Sequence, residues 1–154
     1  MDATKKQGRY DRIYKQLSDL MVKSQDPTAR MASIAAVLHH KMNDFFWTGF
    51  YLLTPDHRLV VRTYQGPVAC MELANNTGVC WAGINQQKTM VVPDVHQFEG
   101  HIACDSRSVS EIVVPVKNDR GQIIGVLDVD SDKPATFDEV DARNLEKIVA
   151  LIHS

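Results

Sequence analysis

Two runs of β-forming residues separated by a four-residue turn constrain this chain most. Glu111 to Lys117 and Gln122 to Val129 flank Asn118-Asp119-Arg120-Gly121, a turn whose residues suit a tight reversal. An earlier pair repeats the arrangement. Phe45 to Leu53 and Leu59 to Tyr64 flank Thr54-Pro55-Asp56-His57. Strands joined this closely must run antiparallel, because a parallel pair needs a crossover of a dozen residues or more. Helical patterns lie at both ends. Tyr10, Ile13, Tyr14, Leu17, Leu20 and Met21 recur three or four apart, and Asp26-Pro27 opens a second helix with apolar Met31, Ile34, Ala35 and Leu38. At the C-terminal end Thr136 and Glu139 have capping-box spacing, ahead of Val140, Leu145, Ile148, Val149 and Ile152. The expectation is an α+β fold. Its antiparallel sheet has N- and C-terminal helices packed on one face and a ligand pocket on the other.

Between the hairpins, Gln65 to Gly100 is irregular, with a short helix expected near Val79–Gln87 and a short strand near Met90–Val92. Long irregular stretches inside compact domains are often functional. The chain has 154 residues, 44% hydrophobic and 23% charged, with no repeat or linker, so one domain is expected over 1–154. A net charge of −2 supplies no global field for nucleic acid or an anionic membrane. No signal-peptide core opens the sequence and no apolar run reaches the ~20 residues of a membrane span, so a cytoplasmic protein is expected. There the three cysteines should be mostly reduced, and a disulfide would be catalytic or regulatory rather than structural.

All three cysteines, Cys70, Cys80 and Cys104, lie in or near the irregular centre. Asp94, His96, His101, Cys104 and Asp105 fall within a dozen residues. Downstream, Glu111, Asp128 and Asp130 sit on the second hairpin. Asp128 and Asp130 are two apart on one strand, so they face the same way. They follow the apolar run Ile123 to Leu127, and two acids there are costly unless they meet a cation or a cavity. No C-x-x-C, H-E-x-x-H or H-x-E spacing marks a zinc site, so no metal is expected. The residues alone allow a thiol-based redox enzyme with an acid-lined cavity, or a small-molecule binding module with incidental cysteines.

Further motifs run collinearly over nearly the whole chain. They are Trp47-Thr-Gly-Phe-Tyr51, Gly66-Pro-Val-Ala-Cys70, Thr77-Gly-Val-Cys80, Val91-Val-Pro-Asp-Val-His96, Gly100-His-Ile-Ala-Cys104-Asp105, Ser110-Glu-Ile-Val-Val-Pro115 and Ile124-Gly-Val-Leu-Asp-Val-Asp130. In these the chain resembles the free methionine-(R)-sulfoxide reductases, enzymes with the GAF fold. The resemblance implies Cys104 as the catalytic cysteine. It implies reduction through a cysteine sulfenic acid and an intramolecular disulfide, with no bound cofactor and thioredoxin as external reductant. Cys80 and Cys70 are the candidate resolving thiols, with Cys80 slightly favoured. Trp47 and Tyr51 would form an aromatic wall over free methionine sulfoxide. Glu111, Asp128 and Asp130 would surround its polar groups, with Glu111 or Asp130 near the sulfoxide and Asp128 near the ammonium. A homodimer is expected by analogy. The alternative is a non-catalytic GAF sensor or binding module, which would require an attached effector domain.

Overall fold

A computed structural model describes residues 1–101 and 104–154. The sheet expected from the hairpins is present and every pairing in it is antiparallel. Its strands are β1 (Trp47–Leu53), β2 (Leu59–Gln65), β3 (Glu72–Leu73), β4 (Met90–Val92), β5 (Ser110–Lys117) and β6 (Ile123–Ser131), in the order β3-β2-β1-β6-β5-β4. The two hairpins are thus joined along β1 and β6. Here Trp47 lies opposite Asp130, and Gly49 opposite Asp128. In the second hairpin Asn118 binds Gln122 across the turn, and Gly121 supplies the left-handed φ of +77° that closes it. The two-residue edge strand β3 carries no alternation and was not foreseen from the sequence.

Alternation along the strands divides the residues between two cores. Phe50, Ile112, Val114, Val116, Leu127 and Val129 face α1 (Ala3–Met21), α2 (Pro27–Lys41) and α4 (Glu139–Val149). Tyr10, Ile13 and Leu17 from α1 meet Ile34 and Leu38 from α2 and Leu145 and Ile148 from α4 in this layer. The intervening residues Trp47, Tyr51, Val113 and Val126 face the other way, toward α3 (Gly78–Gln86), in a smaller core with Val79, Cys80, Trp81 and Ile84. The helices at the chain ends do share one face, and α2 joins them there. Among the described residues no helix is long and apolar enough to cross a membrane.

Capping follows local chemistry. Asp26 accepts from the amides of Thr28 and Ala29, and Pro27 occupies the first helical position. The start of α4 differs from the Thr136–Glu139 expectation. Thr136 gives its hydroxyl to Ser131 at 2.7 Å, and Asp138 is the N-cap, in a reciprocal box with Asp141. The hydroxyl is occupied by the loop after β6, so the next acceptor along the chain caps the helix.

Asp141 also ties α4 to α1. Its carboxylate accepts from Lys6 Nζ at 2.7 Å and from the Tyr10 hydroxyl at 2.5 Å, and all three residues are buried. Removing one member leaves a buried ammonium and a buried hydroxyl without their main partner, a loss that typically costs about 3–5 kcal/mol. Asp141→Ala is therefore expected to lower the stability measured by urea unfolding by roughly that amount, whereas Asp19→Ala, at an exposed ion pair, should change it by less than ~1 kcal/mol.

Candidate functional site

On the α3 side of the sheet lies a cavity of about 200 Å³. Its lining includes all eight residues singled out from sequence: Trp47, Tyr51, Cys70, Cys80, Cys104, Glu111, Asp128 and Asp130. Sheet register brings the acids together. Glu111 is directly opposite Asp130, and Asp128 is opposite Val113, two residues along β5 on the same face. Cys80 comes from α3, and its thiol donates toward Glu111 Oε2 at 4.0 Å. Glu111 and Asp128 are buried and Asp130 is half-buried.

No cation pairs with these acids among the described residues. Burial therefore dominates their ionisation. It pushes the Glu111 carboxyl well above the usual range, and the neighbouring Asp128 and Asp130 charges push it further. Burial, then the Asp128 charge, does the same to Asp130. Asp128 is also raised by burial, but hydrogen bonds from Glu111 and Cys80 work in the opposite direction. Asp128 is thus the member best able to remain a carboxylate while its neighbours keep protons. Its Oδ1 is buried and has no hydrogen-bond partner among the described residues. The Cys80 thiol is raised by burial and then by the surrounding acids, so it stays protonated.

One wall is aromatic. Trp47 and Tyr51 lie four apart on β1, with ring centroids 5.7 Å apart, and Tyr64 from β2 also stacks on Trp47, at 5.2 Å. Gly49 stands between them on the same strand face and leaves the space they use. A Cβ there would lie 2.3 Å from Tyr64 Cβ and 2.7 Å from the Trp47 ring. The Trp47 indole donates to the Pro67 carbonyl at 3.0 Å, and the Tyr51 hydroxyl donates to the Cys70 carbonyl at 3.1 Å. Both rings therefore anchor the loop that carries Cys70. Gly66 starts that loop with a φ of +119°, and a Cβ on it would meet the Phe46 carbonyl at 2.8 Å. Tyr64 is no candidate from sequence, because its role depends on its cross-strand neighbours Gly49 and Trp47.

At the cavity edge Cys70 and Cys104 are joined by a disulfide, with their Cα atoms 5.4 Å apart. Cys80 is the free cysteine and is buried. The slight preference for Cys80 as the partner of Cys104 does not match this pairing. Cys80 is held on α3 among the acids, while the Cys70 loop reaches Cys104. Within the Gly100–Asp105 motif, Ile102 and Ala103 lie outside the described residues. His101 lines the cavity, but burial, then the His96 charge, lowers its pKa, so near neutral pH it supplies no positive charge. Asp105 is ionised at about 2 because Arg107 binds both its oxygens. Asp94 and His96 pair with each other at 2.9 Å and are absent from the lining. Asp94 caps a 3-10 turn over Val95–Gln97.

The acid cluster fixes a pH dependence. Glu111 has a folded pKa above its unfolded value, so the folded state retains a proton that the unfolded chain releases. Its ionisation does not penalise folding below the ordinary carboxyl range. The penalty grows as pH rises from about 4 toward the folded pKa. Glu111→Gln removes that titration while keeping the shape. Its stability relative to the unaltered protein should therefore improve between pH 5 and pH 8, by on the order of 1 kcal/mol or more. Thermal and urea unfolding at both pH values measure this, and a difference that stays flat with pH would contradict the assignment.

Comparison with known proteins gives a consistent result. The GAF domain model matches residues 25–153. The Escherichia coli free methionine-R-sulfoxide reductase is 40% identical over 143 residues, covering 92% of this chain and 84% of that protein. A Dictyostelium discoideum protein named GAF domain-containing protein A is 44% identical over 147 residues, covering 96% of this chain and 92% of its own length. The crystal structure of the Neisseria meningitidis free methionine-R-sulfoxide reductase in complex with its substrate superposes with a TM-score of 0.88 at 40% identity, covering 93% of this chain and 85% of that one.

Proposed function

The chain belongs to the free methionine-(R)-sulfoxide reductase family of GAF domains, and from that premise we propose that it reduces free L-methionine-(R)-sulfoxide to L-methionine. The observation that carries this reading is a Cys70–Cys104 disulfide at the edge of a cavity lined by three carboxyl groups and an aromatic wall. A free amino acid presents an ammonium group. The Asp128 carboxylate, whose buried Oδ1 has no partner among the described residues, is the group suited to receive it. Trp47 and Tyr51 offer flat apolar surface to the side chain and its S-methyl group. Glu111 and Asp130, held protonated by burial, can donate to the sulfoxide oxygen.

The chemistry proceeds from the reduced enzyme. The Cys104 thiolate attacks the sulfoxide sulfur as the oxygen is protonated. Methionine leaves, and Cys104 is oxidised by two electrons to the sulfenic acid. The Cys70 thiol displaces hydroxide from that sulfur, forming the disulfide and releasing water. A protein dithiol of the thioredoxin type then takes up the disulfide by exchange and returns both thiols. Cys80 takes no part in the exchange. Peptide-bound methionine sulfoxide lacks the free ammonium and brings flanking chain that a cavity of about 200 Å³ does not admit.

Methionine released in a single turnover, with mass spectrometry of the disulfide, tests these roles. Cys104→Ser should release none, because an alcohol is a poor nucleophile and forms no sulfenic acid. Cys70→Ser should release one equivalent and then stall with thioredoxin, whereas Cys80→Ser should recycle. A full burst from Cys104→Ser, or normal recycling by Cys70→Ser, would overturn the assignment. Substrate choice provides a separate check. The (S)-epimer and N-acetylmethionine sulfoxide amide should react far more slowly than the free (R)-sulfoxide, and comparable rates would refute the closed pocket.

A further inference from the structure

We propose that Cys80, Glu111 and Asp128 form a binding site for a thiophilic divalent cation of the zinc class, whose occupancy blocks the cavity. Each residue offers one ligand atom, and the three atoms lie within 4.8 Å of one another. Zinc holds sulfur at ~2.3 Å and carboxylate oxygen at ~2.0–2.2 Å, so tetrahedral ligands lie about 3.3–3.8 Å apart. A contraction of roughly 1 Å in side-chain atoms alone would reach that geometry. The residues sit on α3, β5 and β6, three elements packed together, and each is buried. Asp128 gives the second indication. It is 5% exposed and lines the cavity, and its buried Oδ1 has no hydrogen-bond partner among the described residues. An orphaned buried carboxylate oxygen beside a thiol is a receptor for positive charge.

The donor set selects the metal. One sulfur and two carboxylate oxygens suit zinc or cobalt, which on binding displace the Cys80 thiol proton and the Glu111 carboxyl proton to solvent, whereas magnesium and calcium take oxygen ligands without a thiolate. Three protein ligands leave a fourth position facing the cavity, open to water. Sequence spacing could not reveal this set, because its members are separated by 31 and 17 residues in the chain and meet only in the folded sheet. The metal would use the same carboxylate that receives the substrate ammonium, and this competition rests on the reductase reading. Metal binding itself does not.

The disulfide makes the test direct. In the oxidised protein Cys70 and Cys104 are occupied, so Cys80 is the free thiol. Cobalt titration of that form should give a thiolate-to-cobalt charge-transfer band saturating at one equivalent, and zinc should displace it. Cys80→Ser should lose the band. Asp128→Asn and Glu111→Gln should each weaken cobalt binding at least ~10-fold, since even outer partners of a metal site are worth that much. Circular dichroism identifies any variant that does not fold, and either carboxylate variant suffices. No band, a band that survives Cys80→Ser, or unchanged affinity in a folded carboxylate variant would overturn the site. In coupled turnover, zinc should raise KM for the free sulfoxide and leave kcat unchanged, and unchanged KM at saturating zinc would overturn the competition. Cobalt binding by a protein without reductase activity would keep the metal site and refute the reductase reading.

Discussion

Three carboxyl groups gathered in one cavity, two of them buried and none paired with a cation among the described residues, set the demands on the rest of this structure. Such a cluster is costly, because each ionised member repels the others in a medium that screens poorly. The protein reduces the cost by letting protons stay. Burial and mutual repulsion raise Glu111 and Asp130 most, and hydrogen bonds leave Asp128 as the preferred anion. The outcome is a small pocket that holds proton donors and one carboxylate side by side. That combination suits a zwitterionic ligand with a basic oxygen elsewhere in the molecule.

Maintaining the cluster requires rigidity that comes from the opposite face of the sheet. Residues alternate on β5 and β6, so Glu111 and Asp128 are interleaved with Ile112, Val114, Leu127 and Val129, all at most 1% exposed. Those apolar side chains pack under α1, α2 and α4. The burial that stabilises the fold therefore also fixes the register that assembles the acids. A one-residue slip between β5 and β6 would exchange the two faces, putting carboxyl groups into the helical core. Selection against that slip is built into the same residues that form the site.

Much of this was legible in the chain. The hairpins, the Asp26-Pro27 cap, the helical faces and the shared direction of Asp128 and Asp130 follow from periods of 2 and 3.6 and from turn chemistry. The Thr136–Glu139 spacing does not reveal that Ser131 and Lys133 already engage the Thr136 hydroxyl, which leaves the cap to Asp138. Asp94 and His96 share the polar segment of His101 and Cys104, yet they serve a local turn. Proximity in sequence overstated them. Conversely, the need for glycine at Gly49 and the packing of Tyr64 are visible only across strands. The Cys70–Cys104 pairing is likewise invisible in the sequence. Nothing in linear spacing says that the loop after Gly66 is pulled over the cavity by hydrogen bonds from Trp47 and Tyr51.

Those two hydrogen bonds link the aromatic wall to the thiols. Trp47 and Tyr51 offer apolar faces to the cavity, while their polar edges hold the Pro67 and Cys70 carbonyls. Replacing either ring with an aliphatic chain would therefore disturb two features together: the apolar wall of the cavity, and the position from which Cys70 reaches Cys104. Removing only the hydroxyl separates them. Tyr51→Phe keeps the ring stacked on Trp47 but frees the Cys70 carbonyl. The effect should fall on disulfide formation more than on substrate affinity. The Cys70 loop is thus placed by the aromatic wall of the cavity, a coupling that follows from a polar group at the edge of each ring and from the close backbone approach that Gly66 permits.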